Sequence, residues 1–398
     1  MKYNYLMKAT YYLLIAFLLF FSSCSEEEQS SCQVKIQLLP PEGYPTLPFE
    51  EMTVILTNQS QGGTYKSICS STGLVDFHVE CGYYTVSVHY QATSGLIFSG
   101  RIESLALLPE QGNTSESVEL QLFRSKTNAI VIKEIYYGGC IGKMGEEYQA
   151  DQYVTLYNNS SETVYLDKLC MAVVDPANSM ESPWMKYTDM SRIPINDLTW
   201  QFPGTGNDYP LAPGAETTIA TNAVNHAGGE YQHTNSVDLS KADWGFWDVS
   251  LSGQDIHPGV TPLRLISKLN PNISKYFFPI WEPTFMIFSL QGISTEDYVS
   301  DLNNREPRPQ ATNQSKLYLM VPQEWVIDCV ECVRSADMIT LKRVPNNLNH
   351  TPVYISEGAY CGKSLVRKKS LGTDKQVIYQ DTNNAFDDFE VSVPLLKK

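Results

Sequence analysis

Apolar and polar residues alternate along much of the first third of the chain. Val34, Ile36 and Leu38 are separated by polar residues. The same alternation recurs in four further segments, 52–56, 75–79, 84–90 and 118–122. A period of two is that of a strand with one face in the core, and this region shows no helical period. The pattern predicts a β-sandwich over residues 33–123.

A second region follows a short polar linker at 124–128. Residues 130–137 are mostly apolar, which is typical of a buried strand. Further strands are expected at 153–157 and 164–166. We therefore predict an all-β protein of two β-sandwich domains, at 33–123 and 129–398.

One long segment, at about 223–328, is irregular and rich in Trp, Phe and Pro. We interpret it as a large irregular insertion in the second sandwich, since insertions in a rigid scaffold often carry binding residues. Five aromatic side chains of this insertion are candidates for a platform that stacks on a flat ligand or a sugar ring: Trp244, Phe246, Trp247, Tyr276 and Trp281. The alternative is that they form a second small core.

The first 23 residues have the pattern of a signal peptide. Lys2 and Lys8 precede a short apolar run at 13–21, which is too short to span a bilayer. Ser22-Ser23-Cys24 then resembles the bacterial lipobox, and this resemblance implies a lipid-modified Cys24 that anchors the mature protein to a membrane. The alternative is an ordinary signal peptide with an unmodified Cys24.

Residues 24–32 form an acidic tether in this interpretation. The triplet Glu26-Glu27-Glu28 resembles the export signal of Bacteroidota lipoproteins, which implies an outer-membrane protein exposed at the cell surface. The alternative is that the run is only solvated and extended.

Composition narrows the class of protein further. The chain has 44 acidic against 29 basic residues and a net charge of −15, which argues against nucleic acid or an anionic membrane surface as the main partner. Tyr, Gly and Pro are plentiful, as expected of an exported all-β protein.

Nine cysteines are present, and lipidation would use Cys24. The remaining eight are expected to form disulfides in an oxidising compartment, with the connectivity left open. Cys329 and Cys332 form a CxxC pair, which elsewhere serves redox or zinc chemistry. Without a thioredoxin-like context or a second CxxC, we expect structural disulfide chemistry at this pair.

No recognised catalytic motif is present: there is no HExxH, no GxSxG, no Walker A loop and no GxGxxG. His226, Glu230 and His233 have the chemistry of zinc ligands, but the irregular segment around them favours solvated loop residues. We predict no metal, no cofactor and no enzymatic activity.

Two charged clusters lie near the C-terminus. Asp381, Asp387 and Asp388 could bind calcium, although their spacing is not that of an EF-hand and favours a structural role. The four basic residues of 363–369, Arg367 among them, could meet an acidic partner or a lipopolysaccharide phosphate, or could be a solvated face.

Two segments of the chain resemble known domain families. Residues 73–86, in which a strand ends near Gly82-Tyr83 and an alternating strand follows, resemble the carboxypeptidase-regulatory or transthyretin-like module, which implies a spacer without chemistry. Four matches in the right order resemble the lamin-tail domain: 129–137, 151–167, 209–220, and a closing segment made of 362–367 and 381–389. Thr155 departs from the acidic residue usual in that family, and the insertion has no counterpart in it.

Together these features resemble a family of Bacteroidota surface lipoproteins without an established activity. The resemblance and the insertion lead to the expectation of a non-enzymatic accessory protein. It would capture a ligand, or dock on a TonB-dependent β-barrel transporter. The alternative is a structural or adhesive surface protein.

Overall fold

The computed structural model describes residues 31–41, 43–92, 96–108, 118–126, 128–253, 256, 258–370 and 377–397. The predicted signal peptide, Cys24 and most of the acidic tether lie outside the described residues. The chain divides into two compact units, one of residues 1–90 with 100–122 and one of residues 91–99 with 123–398. None of the helices in the described part has the length and apolar character needed to cross a bilayer.

The described residues of the first unit form seven strands in two sheets. The strands are β1 (Ser31–Leu39), β2 (Thr53–Asn58), β3 (Thr64–Ile68), β4 (Leu74–Glu80), β5 (Gly82–Gln91), β6 (Leu96–Leu107, which enters this unit at Gly100) and β7 (Val118–Gln121), with a short 3-10 helix at Phe49–Glu51. One sheet has the order β4-β1-β7, with β1 antiparallel to β4 and parallel to β7. The other has the order β3-β2-β5-β6.

The alternating strands of this unit bury one face, as predicted. Val34, Ile36 and Leu38 of β1 are at most 3% exposed, while the polar residues between them are half-buried. A disulfide joins Cys32 at the start of β1 to Cys81 just after β4. An apolar core and one disulfide therefore stabilise this unit.

The described residues of the second unit form the remaining strands. They are β8 (Phe123–Lys126), β9 (Ile130–Tyr136), β10 (Cys140–Ile141), β11 (Glu147–Tyr148), β12 (Tyr153–Asn158), β13 (Val164–Tyr165), β14 (Leu169–Val174), β15 (Arg192–Gln201), β16 (Pro210–Leu211), β17 (Glu216–Ala220), β18 (Trp244–Gly245), β19 (Thr261–Pro262), β20 (Arg264–Lys268), β21 (Thr284–Ser289), β22 (Arg305–Pro307), β23 (Leu317–Pro322), β24 (Val326–Glu331), β25 (Ser364–Arg367) and β26 (Phe389–Ser392).

Its helices are short. They are α1 (Pro183–Tyr187), α2 (Thr295–Ser300) and α3 (Ala385–Asp388), with 3-10 turns at Leu302–Asn304, Gln323–Trp325, Ala336–Met338 and Leu395–Lys397. With so little helix, the molecule is all-β, as predicted.

Two large sheets form the second unit. Sheet I has the order β19-β18-β17-β12-β9-β25-β26, and sheet II has the order β22-β23-β15-β14-β21-β24, with β20 beside β15. The apolar core between them contains Ile132, Val154, Ile219 and Leu365 from sheet I and Met171, Trp200, Ile287 and Val330 from sheet II. The unit is thus a β-sandwich.

The outer faces of these sheets are also covered. In β14, Met171 and Val173 face the core between the sheets, whereas Cys170 and Val174 belong to a second cluster with Trp184 of α1. On the outer face of sheet I, residues 223–242 pack against the sheet. Because both faces are buried, the central strands are apolar throughout, as the pattern of 130–137 predicts.

The insertion is irregular over long stretches but holds strands β18–β24. Strands β20–β24 join sheet II, and β18 and β19 extend sheet I. The insertion therefore builds much of the sandwich itself. Its irregular residues 223–242 contribute to the layer that covers sheet I.

Candidate functional site

Three of the five candidate aromatic residues lie in the main core. Trp244, Phe246 and Tyr276 are at most 8% exposed, and Phe246 and Tyr276 each contact Trp200 at ring distances of 5.5 and 5.4 Å. The Trp244 indole donates a hydrogen bond to Thr217 Oγ1 at 3.0 Å. These rings fill the space between the two sheets, where their large apolar area stabilises the sandwich.

The other two candidates lie nearer the surface. Trp247 is half-buried, and Trp281 is 45% exposed with the Arg334 guanidinium 5.1 Å from its ring centre. The five aromatics therefore do not share one exposed surface. Of the five, Trp281 is the exposed one.

The two histidines of the possible zinc set are buried, which corrects the expectation of solvated loop residues. His226 Nε2 donates to the carbonyl of Asn222 at 2.8 Å, so its Nδ1 accepts from the Tyr148 hydroxyl at 2.5 Å. Burial lowers the pKa of His226 and favours this neutral form. Glu230 is exposed, and no three His, Cys, Asp or Glu residues of the described chain come together as a metal site.

The acidic cluster near the C-terminus serves structure. Asp381 and Asp388 are buried with Asp328 around the guanidinium of Arg367, at 3.2, 3.5 and 2.5 Å respectively. Arg367 also donates to the carbonyl of Ile132 at 2.8 Å. Arg367 is therefore not part of a solvated basic face, because strand β25 carries it into the interior of the second unit.

The CxxC disulfide prediction is wrong. Cys32–Cys81 is the disulfide of the described residues, and Cys329 and Cys332 are free thiols. Cys329 lies on the outer face of sheet II, whereas Cys332 lies in the core between the sheets. Residues three apart on an extended chain point to opposite faces, so the two sulfurs cannot meet. Burial raises the pKa of both thiols well above its ordinary value, which leaves them unreactive.

A groove in the outer layer of sheet II is the site that the structure adds. Its volume is about 570 Å³, and one wall is α1 with the residues before it. The other wall is the loop after β22, at 308–313, together with Lys316 and Tyr318. Three basic side chains line it, Lys186, Arg308 and Lys316, and we call it the cationic groove.

Arg308 is held rigidly in this groove. Its Nε and Nη2 donate to the fully buried carboxylate of Asp175, at 2.9 and 2.5 Å. The same carboxylate accepts from the Trp184 indole at 2.8 Å, and the guanidinium lies 5.3 Å from the Tyr318 ring centre. A fork bound at two points and stacked on a ring has little rotational freedom.

The two lysines are more exposed. Lys316 Nζ lies 4.9 Å from the centre of the Tyr318 ring, and its side chain is 43% exposed. Lys186 pairs with Glu181 at 3.1 Å and lies 5.7 Å from the ring centre of Tyr187, which is itself 54% exposed. Lys316 pairs with Asp197 at 3.9 Å. The groove therefore presents two partly exposed lysines, each with a carboxylate partner, and the exposed ring of Tyr187 beside a fixed guanidinium.

Trp281 is not among the residues that line this groove. The amide of Ser179 donates to the carbonyl of Trp281 at 3.0 Å. Ser179 belongs to the chain segment that follows β14 and ends in α1, the helix that lines the groove. A backbone hydrogen bond thus connects Trp281 to the segment that leads into α1, while its ring lies against Arg334.

Sequence reasoning missed the groove because its walls are more than a hundred residues apart in the chain. Each wall carries isolated basic residues and no motif. One local signal was available: Ser182 followed by Pro183 is an N-cap followed by proline at the first helical position, which predicts α1. Nothing in the sequence indicates that α1 faces residues 308–318.

Comparisons with known proteins agree on the family resemblance. Residues 212–395, which lie in the second unit, match the model of a family described as "Protein of unknown function (DUF4876)". The fold is similar to the crystal structure of a DUF4876 family protein from Bacteroides thetaiotaomicron, with a TM-score of 0.62 and 25% identity over 92% of this chain and 96% of that chain. No curated protein matches the chain.

These findings confirm the predicted resemblance to Bacteroidota proteins of unknown function. Neither description names an enzymatic activity or a ligand. Only one wall of the groove lies in the matched region: residues 308–318 fall within 212–395, whereas α1 precedes that range.

Proposed function

We propose that this protein is a lipid-anchored outer-membrane protein, displayed at the cell surface, that binds a ligand or a partner and catalyses no reaction. The lipobox-like Ser22-Ser23-Cys24 and the acidic triplet after it support the anchor and the display. The likeness to a Bacteroides protein is consistent with such an envelope.

The observation that carries the binding role is the cationic groove. It gathers three basic side chains and an exposed tyrosine on a chain whose net charge is −15. Its volume falls in the range of ordinary ligand sites, roughly 300–1,000 Å³. Its walls come from α1 and a loop on a rigid sheet, an arrangement that suits recognition.

The groove has no pair of groups arranged for catalysis. Glu181 is the carboxylate that lines it, and that group pairs with Lys186. A nucleophile with its own base, or two opposed carboxylates, would be needed for hydrolysis. We therefore assign the groove to binding.

In the membrane, the protein would work beside a TonB-dependent β-barrel transporter and deliver what the groove captures. The experiment is purification of the lipidated protein from its own outer membrane in mild detergent, with mass spectrometry of what co-purifies. We expect a stoichiometric transporter or a bound molecule.

The same purification of the variant Lys186→Ala/Lys316→Ala should lose the bound molecule. The matched control is Lys241→Ala/Lys369→Ala, which removes the same charge from exposed positions of the same unit outside the groove. A protein that co-purifies with nothing would instead favour a structural or adhesive surface role. Equal losses in both variants would disprove the groove assignment.

A further inference from the structure

We infer that the cationic groove recognises an acidic glycan, a chain of sugars that carry carboxylates, as in hexuronic acids. This inference rests on the proposed binding role and gives it a ligand class. It follows from the local charge, the shape of the cation array and the neutral lining of the groove.

Most charged side chains that line the groove are basic although the chain is acidic, and each has a carboxylate partner: Glu181 for Lys186, the buried Asp175 for Arg308 and Asp197 for Lys316. Lys186, Arg308 and Lys316 line the groove, and Glu181 is its acidic residue. At physiological ionic strength the screening length is about 8 Å, so the lining rather than the net charge of −15 sets the potential that a ligand meets. Three of the four charged side chains that a ligand meets in the groove are therefore cationic.

The cations differ in kind, and the difference suits carboxylates. The bonds of Arg308 to Asp175 use Nε and Nη2, which leaves Nη1 on the side of the guanidinium away from Asp175. This edge is fixed in position, since Asp175 is fully buried. Lys186 and Lys316 add partly exposed point charges nearby, which can exchange their partners Glu181 and Asp197 for carboxylates spaced along a chain.

The neutral part of the lining suits sugar rings. The exposed ring of Tyr187 offers a flat face against which the C–H groups of a sugar can pack. Gln310, Thr312 and Asn313 line the same groove and can exchange hydrogen bonds with hydroxyls. An apolar small molecule would leave these polar groups unpaired.

An extended acidic peptide fits less well. A peptide chain is commonly held by adding a strand to a sheet edge, where backbone groups are available. Here the walls are the side chains of helix α1 and of the 308–313 loop. The geometry therefore points to a ligand recognised through hydroxyls and carboxylates rather than through a peptide backbone.

The test uses the mature protein without its lipid and measures binding by isothermal titration calorimetry. The probe is an oligogalacturonate, and the matched neutral ligand is its fully methyl-esterified form, which keeps the sugar rings and removes the charges. We expect the acid form to bind at least tenfold more tightly than the ester. Its Kd should increase as salt is raised from low to high concentration.

Variants then locate the site. Lys186→Ala/Lys316→Ala should weaken oligogalacturonate binding at least tenfold, and Tyr187→Ala should weaken both the acid and the ester. Lys241→Ala/Lys369→Ala should leave both unchanged. Tryptophan fluorescence of each variant checks that the second unit is folded.

Three outcomes would overturn the inference. One is equal binding of acid and ester, another is equal loss in the groove and control variants, and the third is tighter binding of polyglutamate than of oligogalacturonate. If no oligogalacturonate binds while the material from the membrane is still lost in the groove variant, the ligand class is wrong and the binding role stands. If the protein binds no oligogalacturonate and the groove variant retains the material from the membrane, both proposals fail.

Discussion

The folds of the two units are stabilised in different ways. The first unit has strands with one buried face and a covalent bond between Cys32 and Cys81. The second unit has sheets covered on both faces and no disulfide among its described cysteines, but it buries clusters of charged side chains. The comparison teaches that a sheet buried on both sides must satisfy its charges internally, whereas a one-sided sheet leaves them in water.

Two charged clusters make this point in the second unit. Arg367 sits among three carboxylates, and Glu331 sits between Lys342 Nζ, at 2.6 Å, and the backbone amide of Arg343, at 2.5 Å. Glu331 is fully buried. Removing one partner of such a cluster strands the others in a medium of low dielectric, and this sets the scale of the first prediction.

The largest effect is expected from Arg367→Ala. The variant leaves Asp328, Asp381 and Asp388 buried without their cation, so we expect the free energy of unfolding of the second unit to fall by about 5 kcal/mol. Urea unfolding followed by tryptophan fluorescence measures it. All six tryptophans, from Trp184 to Trp325, lie in the second unit, so this signal reports on that unit alone.

The control for this variant is Arg264→Ala, which removes a half-exposed arginine whose partner, Glu296, is also exposed. Its loss should be about 1 kcal/mol or less. If Arg367→Ala cost no more than the control, the buried cluster would not be what fastens the second unit.

The next effect is on the first unit. Opening Cys32–Cys81 by Cys32→Ser/Cys81→Ser should destabilise that unit by about 2–4 kcal/mol, because the bond closes a long loop with a sequence separation of 49. Hydrogen exchange of the β1 and β4 amides should accelerate.

The tryptophan transition should stay where it is, because the five described cysteines of the second unit are free thiols and reduction opens no bond among them. Treating the native protein with a reductant should reproduce the variant. A matching shift of the tryptophan transition would show that the two units do not unfold independently.

A smaller effect is expected from pH. Burial raises the pKa of Asp388 from 3.8 to about 7, despite the neighbouring Arg367. The folded state therefore binds a proton that the unfolded state releases, and this contribution is complete below about pH 4 and lost as the pH rises through 7. The second unit should lose up to about 1.4 kcal/mol per pH unit from this group within that window.

Asp388→Asn removes this titration, so the stability of the variant should depend less steeply on pH between 5 and 8. The difference between the two curves isolates the group from His226, whose lowered pKa acts in the opposite direction below about pH 6.5. Parallel curves would mean that Asp388 is ionised throughout.

The smallest effect on stability is expected in the cationic groove. Lys186→Ala/Lys316→Ala should change the free energy of unfolding by about 0.5 kcal/mol or less, because both side chains are largely in water. The same variant is expected to lose ligand binding. The charged side chains of the second unit would thus fall into two groups. The buried cluster around Arg367 stabilises the fold, and Lys186 and Lys316 of the cationic groove bind a partner.

The sequence predicted the first unit well, since the period of two at Val34, Ile36 and Leu38 directly reports which face is buried. It predicted the central strands of the second unit for a related reason, because an apolar run such as 130–137 needs cover on both sides. The all-β fold followed from these patterns.

The remainder depended on long-range pairing. Trp244, Phe246 and Tyr276 look like a platform until sheet II is placed over them, and Arg367 looks solvated until Asp328 and Asp381 are brought beside it. The groove joins α1 to a loop that follows β22. Local patterns cannot indicate such contacts, because they say which face is apolar and not what covers it.

The position of the Cys32–Cys81 bond has a mechanical consequence. A pull applied through the residues that precede Ser31 enters the first unit at the beginning of β1. The bond ties that strand to the chain just after β4 within its first two residues, so tension passes into covalent links before it can peel the β1–β4 ladder apart. If Cys24 is the anchor, a shear force at the cell surface would act first on the Cys32–Cys81 disulfide.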